Sequence, residues 1–329
     1  MLMGLNQHNQ LIYAQHAMVN EIYRCPDCLS ELVIKKGKHT VAHFAHKVDS
    51  YCLRNSYKKE SLDHISSKHH IYASLNGKVN IDMEYYISEI EQIPDILINK
   101  NIVVEFQYSP ISFDLLMDRS EGFRLMNIKV IWIGKNIKYL NGILTLSYFE
   151  AALINHKERT LITYNPEERL LIRYECLQSI DKHRFIGYRR EIQWDHLLED
   201  YPLKKIPNLA LTDMAYQEYL TKCRKQKNVL EPTLSLLYNA RLIHKKRRPI
   251  IGIIVPEQIY FLTHCITWQS YLFLEMKNKT FTFEKFYQFI EFRSFYDCHY
   301  SKKEILLSAF YSYISIVKRK AISRAKWTN

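Results

Sequence analysis

The segment from Ile93 to Gln107, IPDILINKNIVVEFQ, constrains this chain more than any other. An aspartate after a proline opens one apolar run, and a second apolar run delivers Glu105, Phe106 and Gln107 in succession. Side chains alternate along a strand, so Glu105 and Gln107 share one face and Phe106 takes the other. A tight link between the two runs brings Asp95 beside that pair. Two carboxylates converging at the end of a small sheet make a hard-oxygen site suited to Mg²⁺ or Mn²⁺. Such an ion polarises a phosphodiester and activates a water. The bland alternative is the solvated face of a half-buried ribbon.

A chain of 329 residues forms one large domain or two to three modest ones. Tyrosine is abundant (24) and glycine scarce (8), which suits a helix-rich protein with few flexible linkers. The net charge of +12 and pI near 9.2 point to an anionic partner, nucleic acid first. No stretch approaches the roughly 18 to 20 apolar residues of a spanning helix. The start, MLMGLNQHNQ, has no basic region followed by an apolar core. The expected location is therefore the cytoplasm, with no membrane span. Three of the seven cysteines cluster early and four are scattered, a poor disulfide framework.

The early cysteines belong to a metal-ligand pattern: Cys25-Pro-Asp-Cys28, then His43-Phe-Ala-His46, then Cys52. A CxxC on a tight turn points two thiolates at one centre, which zinc requires. The intervening residues read as a hairpin, with strands Glu31–Lys35 and His39–His46 and a turn at Lys36–Lys38. That hairpin returns the second pair of ligands to the first, as in a zinc ribbon. Along a strand His43 and His46 face opposite ways. The expected structural zinc ligands are Cys25, Cys28, His46 and Cys52, with His43 as the alternative to His46. A redox CxxC lacks the surrounding βαβ unit.

The middle of the chain reads as helix Lys58–Leu75, strands Lys78–Ser88, Ile93–Asn99 and Ile102–Tyr108, helix Ser112–Met126 and strand Lys129–Gly134. The order is αβββαβ. Glu60, His64 and Lys68 recur at four-residue spacing along one stripe of the first helix. Trp132 reads as core.

With an acid after Pro94 and ExQ on the next strand, this arrangement resembles the PD-(D/E)xK nuclease fold. More narrowly, the chain resembles the CoiA family of competence proteins. The resemblance rests on CPDC at 25–28, HFAH at 43–46, Cys52, Glu60, His64 and Lys68, IPDILIN at 93–99, VEFQYSPIS at 104–112, RSEGFR at 119–124 and VIWIG at 130–134. It implies a cytoplasmic protein of transformation and recombination that acts on internalised, single-stranded DNA beside recombination proteins. It carries the catalytic roles onto Glu60, Asp95, Glu105 and Gln107, with Asp95 and Glu105 holding Mg or Mn. His64 and Lys68 orient the site or meet a phosphate, and Arg119 meets a phosphate or the carboxylates. The third motif position of that fold is usually lysine, whose charge stabilises the attacked phosphate. Gln107 offers a hydrogen bond without charge, which leaves catalysis open.

The expected organisation is an N-terminal zinc-ribbon-like hairpin module over 1–56, a restriction-endonuclease-like α/β core over 57–140, and a mostly helical, basic region over 141–329. In the last, basic runs at 222–227, 241–248 and 318–326 alternate with aromatic residues such as Tyr238, Trp268, Tyr271 and Tyr311. Lys and Arg beside rings track a phosphate backbone and stack bases, though helical aromatics are more often core. Asp195-His196 and Cys298-His299 read as structural. Two functions follow: a metal-dependent DNase, or a non-catalytic DNA-binding accessory or recombinase adaptor on the same scaffold.

Overall fold

The computed structural model describes residues 1–26, 28–37, 40–47, 61–226, 231–242, 250–297 and 299–325. It is a mixed α/β protein with eight α-helices among the described residues. The chain divides into two units, the first of residues 1–136, 161–173 and 190–201, the second of 137–160, 174–189 and 202–329.

The first unit opens with an antiparallel sheet of five short strands: β1 (Met3–Leu5), β2 (Leu11–Tyr13), β3 (Tyr23–Arg24), β4 (Glu31–Gly37) and β5 (Thr40–His46), in the order β2-β1-β3-β4-β5. Tyr23, Leu32, Ala42 and Phe44 alternate inward and give it a small core. The β4 strand runs to Gly37, two residues past the expected end, with a register shift between Lys35 and Gly37.

Helix α1 (Leu62–Leu75) follows, capped by the Ser61 hydroxyl, which accepts from the His64 N–H. Its Ile65, Lys68, Ile71 and Leu75 recur at helical spacing and are buried. Then come β6 (Ile81–Met83), β7 (Ile96–Ile98), β8 (Ile102–Phe106), α2 (Phe113–Leu125) and β9 (Lys129–Gly134). Strands β6, β7 and β8 are antiparallel neighbours, and β8 is parallel to β9 after the α2 crossover. The β7–β8 link is the three residues Asn99-Lys100-Asn101, of which Asn99 and Lys100 are left-handed. The strand expected over Lys78–Ser88 is cut to three residues, because Glu84 adopts φ +53° and turns the chain away. Ile96, Ile98, Val104 and Phe106 pack toward Ile65 and Ile71, whereas Leu97 and Val103 pack toward Phe123. The hairpin is thus buried on both faces.

The second unit corrects one expectation. The region over 141–329 was expected to be mostly helical, but strands β10 (Lys138–Leu140), β11 (Ile143–Thr145), β12 (Leu161–Asn165), β13 (Leu170–Ser179) and β14 (Arg184–Ile192) dominate residues 138–192. Of these, β12 returns to the first unit, parallel to β9. Helix prevails only from Asp213 on. Trp268, Phe261, Phe295 and Tyr313 are core there, whereas Tyr238 and Tyr311 are exposed. Lys222, Arg224 and Lys225 lie on the last turn of the helix Asp213–Lys225, where cations favour the helix dipole. Most of the basic run 241–248, and Cys298, lie outside the described residues. No described helix is long and apolar enough to cross a membrane.

Candidate active site and metal centre

The end of the β7–β8 hairpin assembles the site. The register pairs Ile96 with Val104, so Asp95 and Glu105 are the next residues along on facing strands. On the other side β6 pairs Met83 with Ile96, and the Glu84 N–H donates to the Asp95 carbonyl at 3.1 Å. Glu84, Asp95 and Glu105 therefore form one row across three strands. Pro94 has no N–H with which to continue the ladder. The Phe106 N–H donates to the Asp95 side chain, at Oδ2, at 2.8 Å.

Each carboxylate of the row meets a basic side chain. His64 Nε2 lies 2.7 Å from Asp95 Oδ2, and Lys68 Nζ lies 2.6 Å from Glu84 Oε1 and 3.7 Å from Asp95 Oδ1. Arg119 donates to Glu105 Oε1 and, at 3.3 Å, to the Ile93 carbonyl. Helix α1 supplies His64 and Lys68 one turn apart, and α2 supplies Arg119. Lys68 is fully buried, while the side chains of His64 and Arg119 are 21% and 19% exposed. The lysine therefore lies beneath the site and the other two at its mouth.

These partners push the two central carboxyls apart. Burial works to raise Asp95, but the charges of His64 and Lys68 and the hydrogen bonds from His64 and Phe106 outweigh it, leaving Asp95 below the usual carboxylate range. Burial raises Glu105. Arg119 pulls it back, the neighbouring Asp95 charge pushes it up again, and the net position is well above that range. The register that sets Asp95 beside Glu105 accounts for this mutual effect.

The donor set fits a divalent cation. Asp95 Oδ1 and Glu105 Oε2 accept no hydrogen bond among the described residues, so each carboxylate keeps one oxygen for a ligand. Gln107 does not join them. It lies past the end of β8, and its Nε2 donates to the Ser109 carbonyl at 2.6 Å. Its backbone N–H still extends the ladder, donating to the Ile133 carbonyl. Glu60, expected in the catalytic set, lies outside the described residues.

The second cluster is sulfur-rich. Cys25, Cys28 and His46 bring their ligand atoms within 4.8 Å of one another, with Cys28 Sγ 3.4 Å from His46 Nε2. The knuckle closes through Leu29, whose left-handed backbone lets its N–H donate to the Cys25 carbonyl. His46 pairs with Leu32 at the end of β5 and so reaches the knuckle, whereas His43 pairs with Lys35 and sits outside the cluster. His43 Nδ1 lies 2.9 Å from the Val41 carbonyl. Two thiolates and an imidazole are a zinc-type donor set. Cys52, the expected fourth ligand, lies outside the described residues.

Comparison with known families matches residues 60–204 to the nuclease-like domain of competence protein CoiA, and residues 6–55 to its N-terminal domain. Together the two matches take in more than half of the chain. The chain belongs to the CoiA family. A similar curated protein, competence protein CoiA of Bacillus subtilis (strain 168), is 31% identical over 180 residues, which cover 49% of this chain and 48% of that protein. The match thus spans about half the length of that relative. No solved structure matches the chain.

The CoiA nuclease-like match ends at residue 204, so it takes in β12, the strand parallel to β9, and the Trp194–Leu197 turn. Sequence reasoning placed neither in the core. Within that turn His196 caps the Gln193 N–H, in keeping with a structural role. Sequence reasoning also missed Glu84. Its acid follows the apolar pair Ile81 and Met83, but only the β6–β7 register brings it beside Asp95.

Proposed function

We propose that this CoiA-family chain is a divalent-metal-dependent DNA nuclease that acts on internalised DNA during transformation. The observation that carries the reading is the pairing of Asp95 and Glu105 on facing strands, each with an oxygen outside any hydrogen bond among the described residues. The αβββαβ order, with β8 parallel to β9 after α2, supports a PD-(D/E)xK core. The nuclease-like family match supports DNA as substrate, and the name of the Bacillus subtilis relative supports a role in competence. The net charge of +12 favours a polyanion, and the cytoplasm is where such DNA would be met.

When bound by Asp95 and Glu105, Mg²⁺ or Mn²⁺ supplies the Lewis acidity that polarises the phosphodiester and activates water. The chain's own residues prepare for that. Lys68 and His64 keep Asp95 ionised as a permanent oxygen donor. His64 and Arg119, partly exposed at the mouth, face the phosphate, and Arg119 presents positive charge to it. Gln107 gives no charge here, and these side chains take over the role of the usual lysine. Glu60 completes the set as a contact to the ion or its water. Cys25, Cys28, His46 and Cys52 hold a structural zinc that fixes the N-terminal module.

The position of Gln107 favours a second reading: a DNA-binding accessory, or a recombinase adaptor, that keeps the nuclease scaffold. Incubating the protein with labelled single- and double-stranded DNA, with Mg²⁺, Mn²⁺ or EDTA, separates the two. Metal-dependent cleavage that disappears in Asp95→Ala and Glu105→Ala supports the enzyme. Tight binding with no cleavage under any metal supports the accessory.

A further inference from the structure

We propose that Glu84 is a positioning residue that clamps Lys68 against Asp95 and ties that lysine to the N-terminal sheet. The inference deepens the nuclease reading and rests on it. Glu84 is buried, and each of its two oxygens has a task. Oε1 accepts from Lys68 Nζ at 2.6 Å, and Oε2 accepts from the backbone N–H of Leu2 at 3.2 Å. Leu2 directly precedes β1 and is itself fully buried. A continuous path therefore runs from the first strand of the metal module, through one carboxylate and one ammonium, to Asp95 Oδ1 at 3.7 Å.

Geometry argues that the clamp is directional. Lys68 is fully buried and carries a flexible four-carbon stem, so its ammonium needs a fixed counter-charge to stay on one side of Asp95. Glu84 provides it from the adjacent strand, in a left-handed conformation that bulky residues rarely adopt. That backbone turns the chain out of β6 directly after Met83 and leaves the carboxylate pointing back at the helix. Such supporting contacts orient the residues that touch a metal and are needed for its affinity and chemistry. The inference also assigns the N-terminal module a role beyond carrying zinc: its first strand sets the position of the charge beneath the nuclease site.

The test uses the full-length, zinc-loaded protein. Glu84→Gln removes the charge and keeps a single acceptor oxygen, so it can serve Lys68 or the Leu2 N–H but not both. It is expected to lower kcat for metal-dependent DNA cleavage by about tenfold or more, with KM and the folded circular-dichroism spectrum unchanged. Glu84→Asp should recover part of the loss. Replacing both partners, Lys68→Met with Glu84→Met, removes the pair without leaving a lone buried charge. A folded but slow double variant supports positioning, whereas a double variant with wild-type kcat overturns it. An active wild type with an equally active Glu84→Gln overturns the inference and leaves the nuclease reading standing.

If the wild type itself cleaves no DNA, the nuclease reading fails, and a second measurement still decides the clamp. Glu84→Leu should speed hydrogen exchange at the Leu2 amide and open Lys68 to amine-labelling reagents. Unchanged exchange and labelling would overturn the clamp.

Discussion

The two units bury ionisable side chains in opposite ways. In the first, Glu84, Asp95 and Glu105 stand in one row, and Lys68, His64 and Arg119 face them charge against charge. In the second, the buried basic side chains are held mainly by neutral partners. Arg293 donates to the carbonyls of Ile259, Lys182 and Asp181 and to the Ser179 hydroxyl, with its guanidinium over the Phe185 ring. His156 meets the Tyr260 hydroxyl and the Asp297 carbonyl, and His264 stacks on Tyr219 and accepts from the Ile266 N–H. Burial alone therefore does not mark a site. Convergence of like-charged acids does, because a fold gathers carboxylates only where something positive holds them together.

The largest effect that sharpens this contrast concerns the thiolate cluster. Elemental analysis should find about one zinc per chain, and chelation should unfold the N-terminal module, since structural zinc contributes on the order of 10 kcal/mol. An unchanged near-ultraviolet spectrum after complete zinc removal would contradict a structural metal.

Next comes Lys68→Ala, which strands Glu84 as a buried acid. It should cost about 3–5 kcal/mol in denaturant unfolding, as loss of one partner of a buried pair does. A cost below about 1 kcal/mol would place Lys68 among surface ion pairs.

Arg293→Met in the second unit should cost about 3 kcal/mol, because it strips donors from several buried acceptors, yet cleavage per folded molecule should persist. Arg119→Met should do the reverse, with cleavage falling far more than stability. Equal losses of activity in both variants would erase the distinction between the units.

The smallest effect is acid sensitivity. Burial holds His156 at about 4 and His264 at about 3, below the ordinary value of 6.5. Both are neutral in the folded state and take up protons more readily on unfolding. Their contribution is complete above pH 6.5 and is lost as pH falls from there toward 4. The melting temperature should drop across that window and level off above it.

How much was legible follows the same division. Asp95 and Glu105 could be brought together from sequence, because a tight link between two apolar runs sets their strands side by side. The metal knuckle could be read because CxxC spacing is a local property. Strand alternation made His43 and His46 alternatives, and His46 could be preferred because it lies nearer the end of its strand and nearer Cys52. Glu84 could not, since its contribution depends on a third strand ending in a left-handed turn. The strands over 170–192 were missed for a related reason. Leu170–Ser179 is buried at most positions rather than at alternate ones, and Cys176 breaks it with φ +55°. The simple two-residue rhythm is therefore absent. Gln107 was expected to act beside Glu105, but the strand ends one residue before it, and its amide turns to Ser109 instead.

The most direct test is calorimetric titration of Mn²⁺ into the protein and into its Asp95→Asn/Glu105→Gln counterpart, with folding of both verified. One Mn²⁺ per wild-type chain, absent from the double variant, is the predicted result. Equal binding by both proteins, or none by the wild type, would contradict the carboxylate row as a divalent-cation site.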